Sequence, residues 1–579
     1  MGNASVQTSA IRFATFAVDP QSGELRKAGA RVKLQEQPLQ MLLLLLERPG
    51  EVVTREALRK RLWPDGTFVD FEHSLATALK KIRRALGDSA AHPQFIETLP
   101  RRGYRFIAAL EAGTGEPKTI LAILPFENLS GDAGQEYLAD GMTEELIARL
   151  GRLHPQRLGV IARASTVRYK KSTKDVDQIG AELGAAYVLK GALGRSGRRL
   201  RASAELIQVK DRTHLWADRW ECDATQLQEI QARLARGIAH SLQVSPPPAR
   251  RSATTGTTTA SPAAHSAFLR GRYALNKGTA EGVRNAIEHF VAATSADSGF
   301  AVAQAGLAVA LNLADHFRVL PGSHAFPRAK AAALRALQIN ESLAEAHNAL
   351  AFARHSFDWN WLEAERAYQR AIALNPNFST ARHWHGFYLG MLGRLEEALA
   401  EMRRAQQLNP LSMIIRTHLG LMLYRAGKYD EAVEQLRQTL DMEPDFAAAH
   451  YFLSWAYQQK GMYQETIAHL EKALAVSPAS PDKIGALGHA HAYFKRKEPA
   501  RYALEQLRRL APRRFVSAYD FAIVYVGLGE KEQALDWLDK ACEERSFSML
   551  MSLKAEPRLD ALRSHRRFHN LVRRVGLEP

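Results

Sequence analysis

The chain has 579 residues, 46% of them apolar and 24% charged, and a formal net charge of +17. That length exceeds one hydrophobic core and implies three or more domains, while the composition excludes a disordered or collagen-like chain. Cys222 and Cys542 stand far apart, which excludes a disulfide framework or a cysteine zinc site and suits a reducing compartment. No uninterrupted apolar run is longer than Met41–Leu46, far short of a membrane span, and the N-terminus has no charged-then-apolar leader. A myristoylation signal also fails, because Val6 stands where Ser or Thr is needed. A cytoplasmic chain with no membrane contact is expected. The positive excess is spread along the sequence, so basicity alone points to no polyanion.

The first block, residues 11–110, opens with short β-like pieces at Ile11–Phe13, Phe16–Val18, Leu25–Lys27 and Val32–Leu34. A helix follows from about Pro38 to Glu47, with its proline in the first turn, where no backbone donor is needed, and Pro49-Gly50 ends it. Thr54 predicts an N-cap for a helix over Arg55–Leu62, which stops before Pro64. After the loop Trp63–Phe71 comes a basic helix that Asp70 or Ser74 can cap. At about 100° per residue, Leu75, Leu79, Ile82 and Leu86 fall in one stripe, with His73, Thr77, Lys80, Lys81 and Arg84 opposite. Phe95–Phe106 then reads as two strands around a turn carrying Arg101, Arg102 and Gly103. Between Lys80 and Arg105, seven Lys/Arg meet only Asp88 and Glu97. A helix with one face to bury and one cationic face, beside an arginine-tipped hairpin, suits duplex DNA.

This order resembles the OmpR/PhoB-type winged helix-turn-helix domain over essentially all of residues 11–110. The closest parts are Pro49-Gly-Glu-Val-Val-Thr-Arg-Glu-Ala-Leu58, Lys80-Lys-Ile-Arg-Arg-Ala-Leu86 and Gly103-Tyr-Arg-Phe106. The resemblance implies that Lys80, Lys81 and Arg84 lie in or along the major groove of promoter DNA, with His73, Ser74 and Thr77 on the same side. Arg101 and Arg102 would enter or flank the minor groove. Arg83, at the edge of the buried stripe, is expected to meet a phosphate or an intradomain acid. In the family, the loop after the second helix meets RNA polymerase, which here names Trp63, Asp65, Thr67 and Phe68; its other role is to connect two helices. Where the family often has Arg-Gly-x-Gly-Tyr-Arg, this chain has Pro100-Arg-Arg-Gly-Tyr-Arg105, which shifts the minor-groove arginine by one or two positions. Only ten residues precede the block, so a receiver domain and a phosphorelay within this chain are not expected.

The second block, residues 118–244, alternates strand-like runs (Thr119–Leu124, Leu158–Ala162, Tyr187–Leu193, Leu200–Ile207, Thr213–Trp220) with helical ones (Gln135–Leu150, Val176–Leu183, Gln226–Leu242). That is an α/β domain. Its runs Ile123-Leu-Pro-Phe-Glu-Asn-Leu-Ser-Gly-Asp132 and Tyr187-Val-Leu-Lys-Gly191 resemble the TolB N-terminal-like domain, which carries no catalytic motif. Gly191-Ala-Leu-Gly-Arg-Ser-Gly197 looks like a phosphate loop, but no GKS or GKT follows and both flanks read as strands, so a hairpin turn is the better reading. Glu127, Asn128 and Asp132 follow the first strand, where open sheets often take ligands, but such residues also make a turn by themselves.

Residues 245–264 are rich in Pro, Thr, Ala and Ser, the composition of a flexible linker. Beyond it the chain repeats. Pro376, Pro410, Pro444, Pro478 and Pro512 recur every 34 residues, and Ala398, Ala432, Thr466, Ala500 and Ala534 keep the same step. Small residues let paired helices approach and each proline stops a second helix, so residues 265–548 form a tetratricopeptide array of about eight units. The unit Ala346–Pro376 carries one extra residue near Asp358-Trp359. A basic helix at Asp560–Val575, within residues 549–579, is expected to cap the open end of the stack. The resemblance implies a concave groove lined by Phe352, His355, His383, Phe387, Tyr424, Tyr451, Trp455, His489 and Tyr519, for a peptide or partner helix. Each of these residues has packing between repeats as its other role.

The 20 histidines show no metal-ligand spacing, no nucleophile elbow or kinase-like set occurs, and no cofactor or metal is expected. The expected fold is multidomain: winged helix-turn-helix, then α/β domain, then all-α tetratricopeptide solenoid. The three blocks together resemble a CadC-like regulator without its transmembrane helix. The expected function is a one-component, non-enzymatic, sequence-specific transcription regulator. Its partners are promoter DNA, RNA polymerase and an unknown protein in the groove, with a homodimer on DNA left open. The alternative is a repeat scaffold whose winged helix touches protein instead of DNA.

Overall fold

A computed structural model describes residues 11–13, 16–19, 24–27, 30–46, 52–62, 71–89, 93, 95–99, 102–108, 110–111, 119–153, 157–197, 199–223, 226–244, 256–317 and 319–577. The chain divides into two compact units, one up to Lys118 and one from Thr119.

The first unit contains strands β1 (Ile11–Phe13), β2 (Phe16–Asp19), β3 (Glu24–Lys27) and β4 (Ala30–Val32), then α1 (Glu36–Leu46). After these come β5 (Val52–Thr54), α2 (Arg55–Leu62), α3 (Phe71–Leu86), β6 (Ile96–Leu99), β7 (Gly103–Phe106) and β8 (Leu110–Glu111). The first four strands form an antiparallel meander, with β8 added beside β1. A second sheet runs β5-β7-β6. The apolar stripe of α3 points inward as its spacing predicts: Leu75, Leu79, Ile82 and Leu86 are all buried, with Ala78 between them. They pack with Leu42 and Leu45 of α1 and with the rings of Phe13, Phe16, Phe95 and Phe106. Thr54 caps α2, its Oγ1 accepting from the Ala57 N–H at 3.2 Å.

The second unit opens with the α/β domain: β9 (Thr119–Ile123), β10 (Glu127–Asn128), α4 (Glu136–Leu153), β11 (Leu158–Val160), α5 (Arg163–Thr166) and α6 (Val176–Leu183). It ends with β12 (Tyr187–Ser196), β13 (Arg199–Gln208), β14 (His214–Asp223) and α7 (Leu227–Ser241). Its sheet runs β11-β9-β12-β13-β14, parallel from β11 to β12 and antiparallel beyond, with β10 beside β12. Gly191–Ser196 lies within β12 and the chain turns at Gly197 (φ 61°), the hairpin geometry. The Asn128–Asp132 turn satisfies itself: the Asn128 amide donates to Asp132 O at 2.9 Å, and Asp132 accepts from the Gly134 N–H at 2.7 Å.

Eight helix pairs follow among the described residues. The first helices are Pro262–Leu275, Ala301–His316, Ala344–Ala353, Ser379–Met391, Met413–Arg425, Ala447–Gln459, Pro481–Tyr493 and Ala518–Leu528. Their partners are Ala280–Ala296, Gly322–Ile339, Trp361–Leu374, Leu395–Leu408, Tyr429–Met442, Tyr463–Val476, Lys497–Leu510 and Lys531–Glu543. The second helices of repeats three to seven each stop two residues before a periodic proline, which cannot continue the ladder. The extra residue of the third repeat is absorbed by a π-helical turn at Arg354–Asp358, after which Trp359 takes a left-handed conformation (φ 55°).

Two boundaries differ from the sequence reading. Residues 245–255 lie outside the described residues, but 256–264 are built into the fold: Ser261 caps the first repeat helix, and the Gln228 amide donates to Thr259 O at 3.0 Å. The α/β domain and the repeats also share one core, in which Leu138 and Met142 of α4 pack with Phe268 and Leu269 of the first repeat. Gly141 permits this approach, since a Cβ there would lie 2.7 Å from Leu269 Cδ2. The loops carrying the periodic prolines dock on the same domain: Asn377 donates to Leu158 O at 2.7 Å, and the Leu411 N–H donates to Ser165 Oγ at 2.9 Å.

Candidate nucleic-acid interface

Helix α3 separates its side chains cleanly. Lys80, Lys81 and Arg84 are exposed, while Ser74 and Thr77 are half-buried along its flank. Lys80 and Arg84 form no side-chain hydrogen bond or ion pair among the described residues, and Lys81 donates to Gln35 Oε1 at 2.6 Å. His73 lies on α3, but its side chain falls outside the described residues, as do Arg101 and the loop residues Trp63, Asp65, Thr67 and Phe68. Arg102, at the hairpin turn, is exposed.

Arg83 does something the sequence did not reveal. Its Nη2 donates to Ile96 O at 2.8 Å and to Thr98 Oγ1 at 2.9 Å, so its guanidinium ties α3 to the first wing strand. Among the described residues, a backbone carbonyl and a hydroxyl take the place of the expected intradomain acid. The N–H of Ile96 is held by Asp88, whose Oδ2 accepts from it at 2.9 Å. Asp88 reaches that position because α3 ends at left-handed Gly87 (φ 70°), with the Asp88 N–H donating to Arg83 O at 2.8 Å. On the hairpin, Arg105 pairs with Glu97 across the strands at 2.5 Å, leaving Arg102 as the exposed cation nearest the turn among the described residues. At the other edge of β7, Gly103 runs so close to β5 that a Cβ would fall 2.1 Å from Val53 O.

The tetratricopeptide groove is filled by the chain's own tail, which corrects the expectation of an open partner site. Phe547 stacks on Phe352 and Phe387, with ring centroids 5.7 and 6.2 Å apart. Tyr424 donates to Glu556 Oε1 at 2.7 Å, and the Arg558 guanidinium sits 3.4 Å from the Trp455 ring centre. Glu556 and Arg558 pair at 2.8 Å, almost wholly buried. The other expected lining residues serve the repeats themselves. His355 bonds Tyr368, His383 bonds His418, His489 bonds Gln458, Tyr451 donates to Asp482 O, and Tyr519 is buried in the core shared with the tail. The tail continues through helix Arg566–Arg574 and returns to the third repeat, where Trp361 Nε1 donates to Val575 O at 2.8 Å. The expected end cap is therefore also a plug. Leu559, Leu562, Phe568 and Val575 bury surface on it that a solvent-facing cap would leave wet.

Three family models match the chain: "Transcriptional regulatory protein, C terminal" over residues 29–106, "HilA/YgeH-like transcriptional regulator, second domain" over 117–236, and "Tetratricopeptide repeat" over 360–412 and 417–482. The chain joins an OmpR/PhoB-type winged helix, a HilA-like domain and tetratricopeptide repeats. This HilA-like arrangement has relatives of two kinds. Transcriptional regulator HilA of Salmonella paratyphi A is 24% identical over 383 residues, 65% of this chain and 66% of that protein. The cholera toxin homolog transcriptional activator of Vibrio parahaemolyticus is 34% identical over 110 residues, 18% of this chain and 38% of that protein. Putative adenylate cyclase 3 of Rhizobium meliloti is 33% identical over 192 residues, 33% of this chain and 32% of that protein. The chain thus spans from about a third to just under two thirds of the length of these relatives. No helix of the described residues is long and apolar enough to cross a membrane.

Proposed function

We propose that this chain is a one-component transcription regulator that grips promoter DNA with α3 and the adjoining wing. One observation carries the reading: among the described residues Lys80 and Arg84 stand exposed and unpaired on a helix whose opposite face is core and whose wing is clamped by Arg83 and Asp88. Cations held on a rigid support lose little entropy on meeting phosphates or base edges. The relatives named as transcriptional regulators favour the same reading over a scaffold. Within it, RNA polymerase would meet the loop that includes Trp63 and Phe68, and a second copy would bind an adjacent half-site. Because the groove is filled in cis, a protein partner would use other faces of the solenoid. The reading is non-catalytic; the relative named a putative adenylate cyclase shares only a third of its length, and a nucleotide turnover assay on the full chain tests that alternative.

The deciding experiment is fluorescence anisotropy of the full chain on promoter fragments recovered by genomic footprinting. With on the order of six phosphate contacts, affinity falls roughly a thousandfold between 50 and 200 mM salt. Substituting Lys80 and Arg84 together by alanine lowers the salt slope by about two. Unchanged binding and an unchanged salt response in the double variant would overturn the assignment.

A further inference from the structure

Where the α/β domain meets the first repeat, the fold leaves a cavity of about 320 Å³. That is the small end of the range that holds organic ligands. Its walls come from α4, the β12–β13 hairpin, the start of α7 and the first repeat helix, Pro262–Leu275. Leu138, Leu200, Leu227 and Leu269 supply an apolar surface. Tyr137, Gln228, His265 and Ser266 add hydrogen-bonding groups, with the Tyr137 hydroxyl 3.5 Å from Ser266 Oγ.

Charge selects among occupants. Among the described residues of the lining, Arg195 is the one formally charged side chain and no carboxylate occurs. Its Nε donates to Gly197 O at 2.9 Å, which aligns the guanidinium without neutralising it. The Arg270 guanidinium lies 4.4 Å from the centre of the Tyr137 ring and adds positive potential. Of the nearby acids, Glu145 is paired with Arg149 at 2.6 Å. His265 stays neutral near pH 7, because burial pushes its pKa down to about 4 against the pull of Glu145.

We propose that this junction cavity binds a small organic acid, its compact apolar body on the leucines and its carboxylate facing Arg195. Both the α/β domain and the first repeat contribute walls, so occupancy fastens one to the other. The site is independent of the DNA interface and stands or falls apart from it.

The test is isothermal titration of the full chain with benzoate, hexanoate and the neutral isostere benzamide, alongside the thermal transition. At least one acid binds and raises the transition, and benzamide binds ten-fold or more weakly. The preferred acid tells an aromatic from an aliphatic ligand. Arg195→Gln reduces the acid to the amide's level, Arg195→Lys restores most of the difference, and Ala263→Leu, which adds methyls to the lining, weakens both. Failure of both acids to bind, equal binding of acid and amide, or binding unaffected by Arg195→Gln or by Ala263→Leu overturns the proposal.

Discussion

Arg83 Nη2 donates to the carbonyl oxygen of Ile96 across 2.8 Å, joining α3 to the first wing strand. This contact separates two jobs that cations on one helix can do. A phosphate-binding lysine or arginine adds about one to the salt slope of DNA binding, whereas a positioning arginine does not. Arg83→Met should therefore lower DNA affinity with little change in slope, and should destabilise the first unit by about 1.5–3 kcal/mol, the usual worth of a charge-assisted hydrogen bond. Arg84→Ala should do the reverse, reducing the slope by about one while leaving stability within about 0.5 kcal/mol. Anisotropy over a salt series and urea unfolding together read both.

Gly103 makes a sharper steric demand. A Cβ at 2.1 Å from Val53 O cannot be accommodated by rotating a side chain, because the obstacle is backbone. Gly103→Ala should push β7 off β5 and cost about 3 kcal/mol, at the upper end for overpacking. Calorimetry should show the transition of the first unit falling while that of the second unit stays put. An unchanged profile would mean the strands part without cost.

What could be read beforehand follows from where each contact lies in sequence. The stripe Leu75, Leu79, Ile82 and Leu86 is local and periodic, so its burial was legible. The 34-residue step was legible for the same reason, and even the extra residue near Trp359 appeared as a break in it. Arg83 was not, because its acceptor is a backbone carbonyl with no residue signature. The filled groove was hidden more deeply. Glu556 and Arg558 look like surface residues, yet they are buried because each satisfies the other, along with Tyr424 and Trp455 from another part of the chain. Gly141 lies inside a helical run whose local spacing carries no sign of Leu269, the distant side chain packed against it.

The solenoid interior carries an acid sensitivity. Burial pushes His355 and His383 down to about 3 and His469 to about 4, and lowers His418, which bonds His383 at 2.7 Å. A folded-state pKa below the unfolded value means the unfolded chain takes protons first. The stabilisation is thus complete above about 6.5, the unfolded value, and drains away as pH falls toward these lowered values. Each such histidine contributes a slope of ~1.4 kcal/mol per pH unit in that window. Urea unfolding of the second unit should show a flat plateau above pH 7 and a steep loss by pH 5. Replacing His383 and His418 with glutamine should flatten that loss, and an unchanged slope would count against these two as its source.

The tail tests whether the plug is integral or a removable lid. Glu556 and Arg558 lose nearly all their water in the groove and recover the cost from each other, from Tyr424, from the Trp455 face and from the buried Arg425 beside Glu556. Removing Arg558 leaves Glu556 without its hydrogen-bonded partner in low dielectric, with Arg425 as the remaining counter-charge, a loss of up to about 3–5 kcal/mol. Arg558→Ala should therefore destabilise the repeats by that amount, whereas the double change Glu556→Gln with Arg558→Met should cost clearly less. A lid resting loosely on a preformed groove would behave differently, with both variants releasing residues 547–577 and leaving the repeats stable. Hydrogen exchange at Phe352, Phe387 and Trp455 tells these apart. An integral plug predicts that protection there falls together with global stability, and exposure at constant stability would make the tail a displaceable ligand.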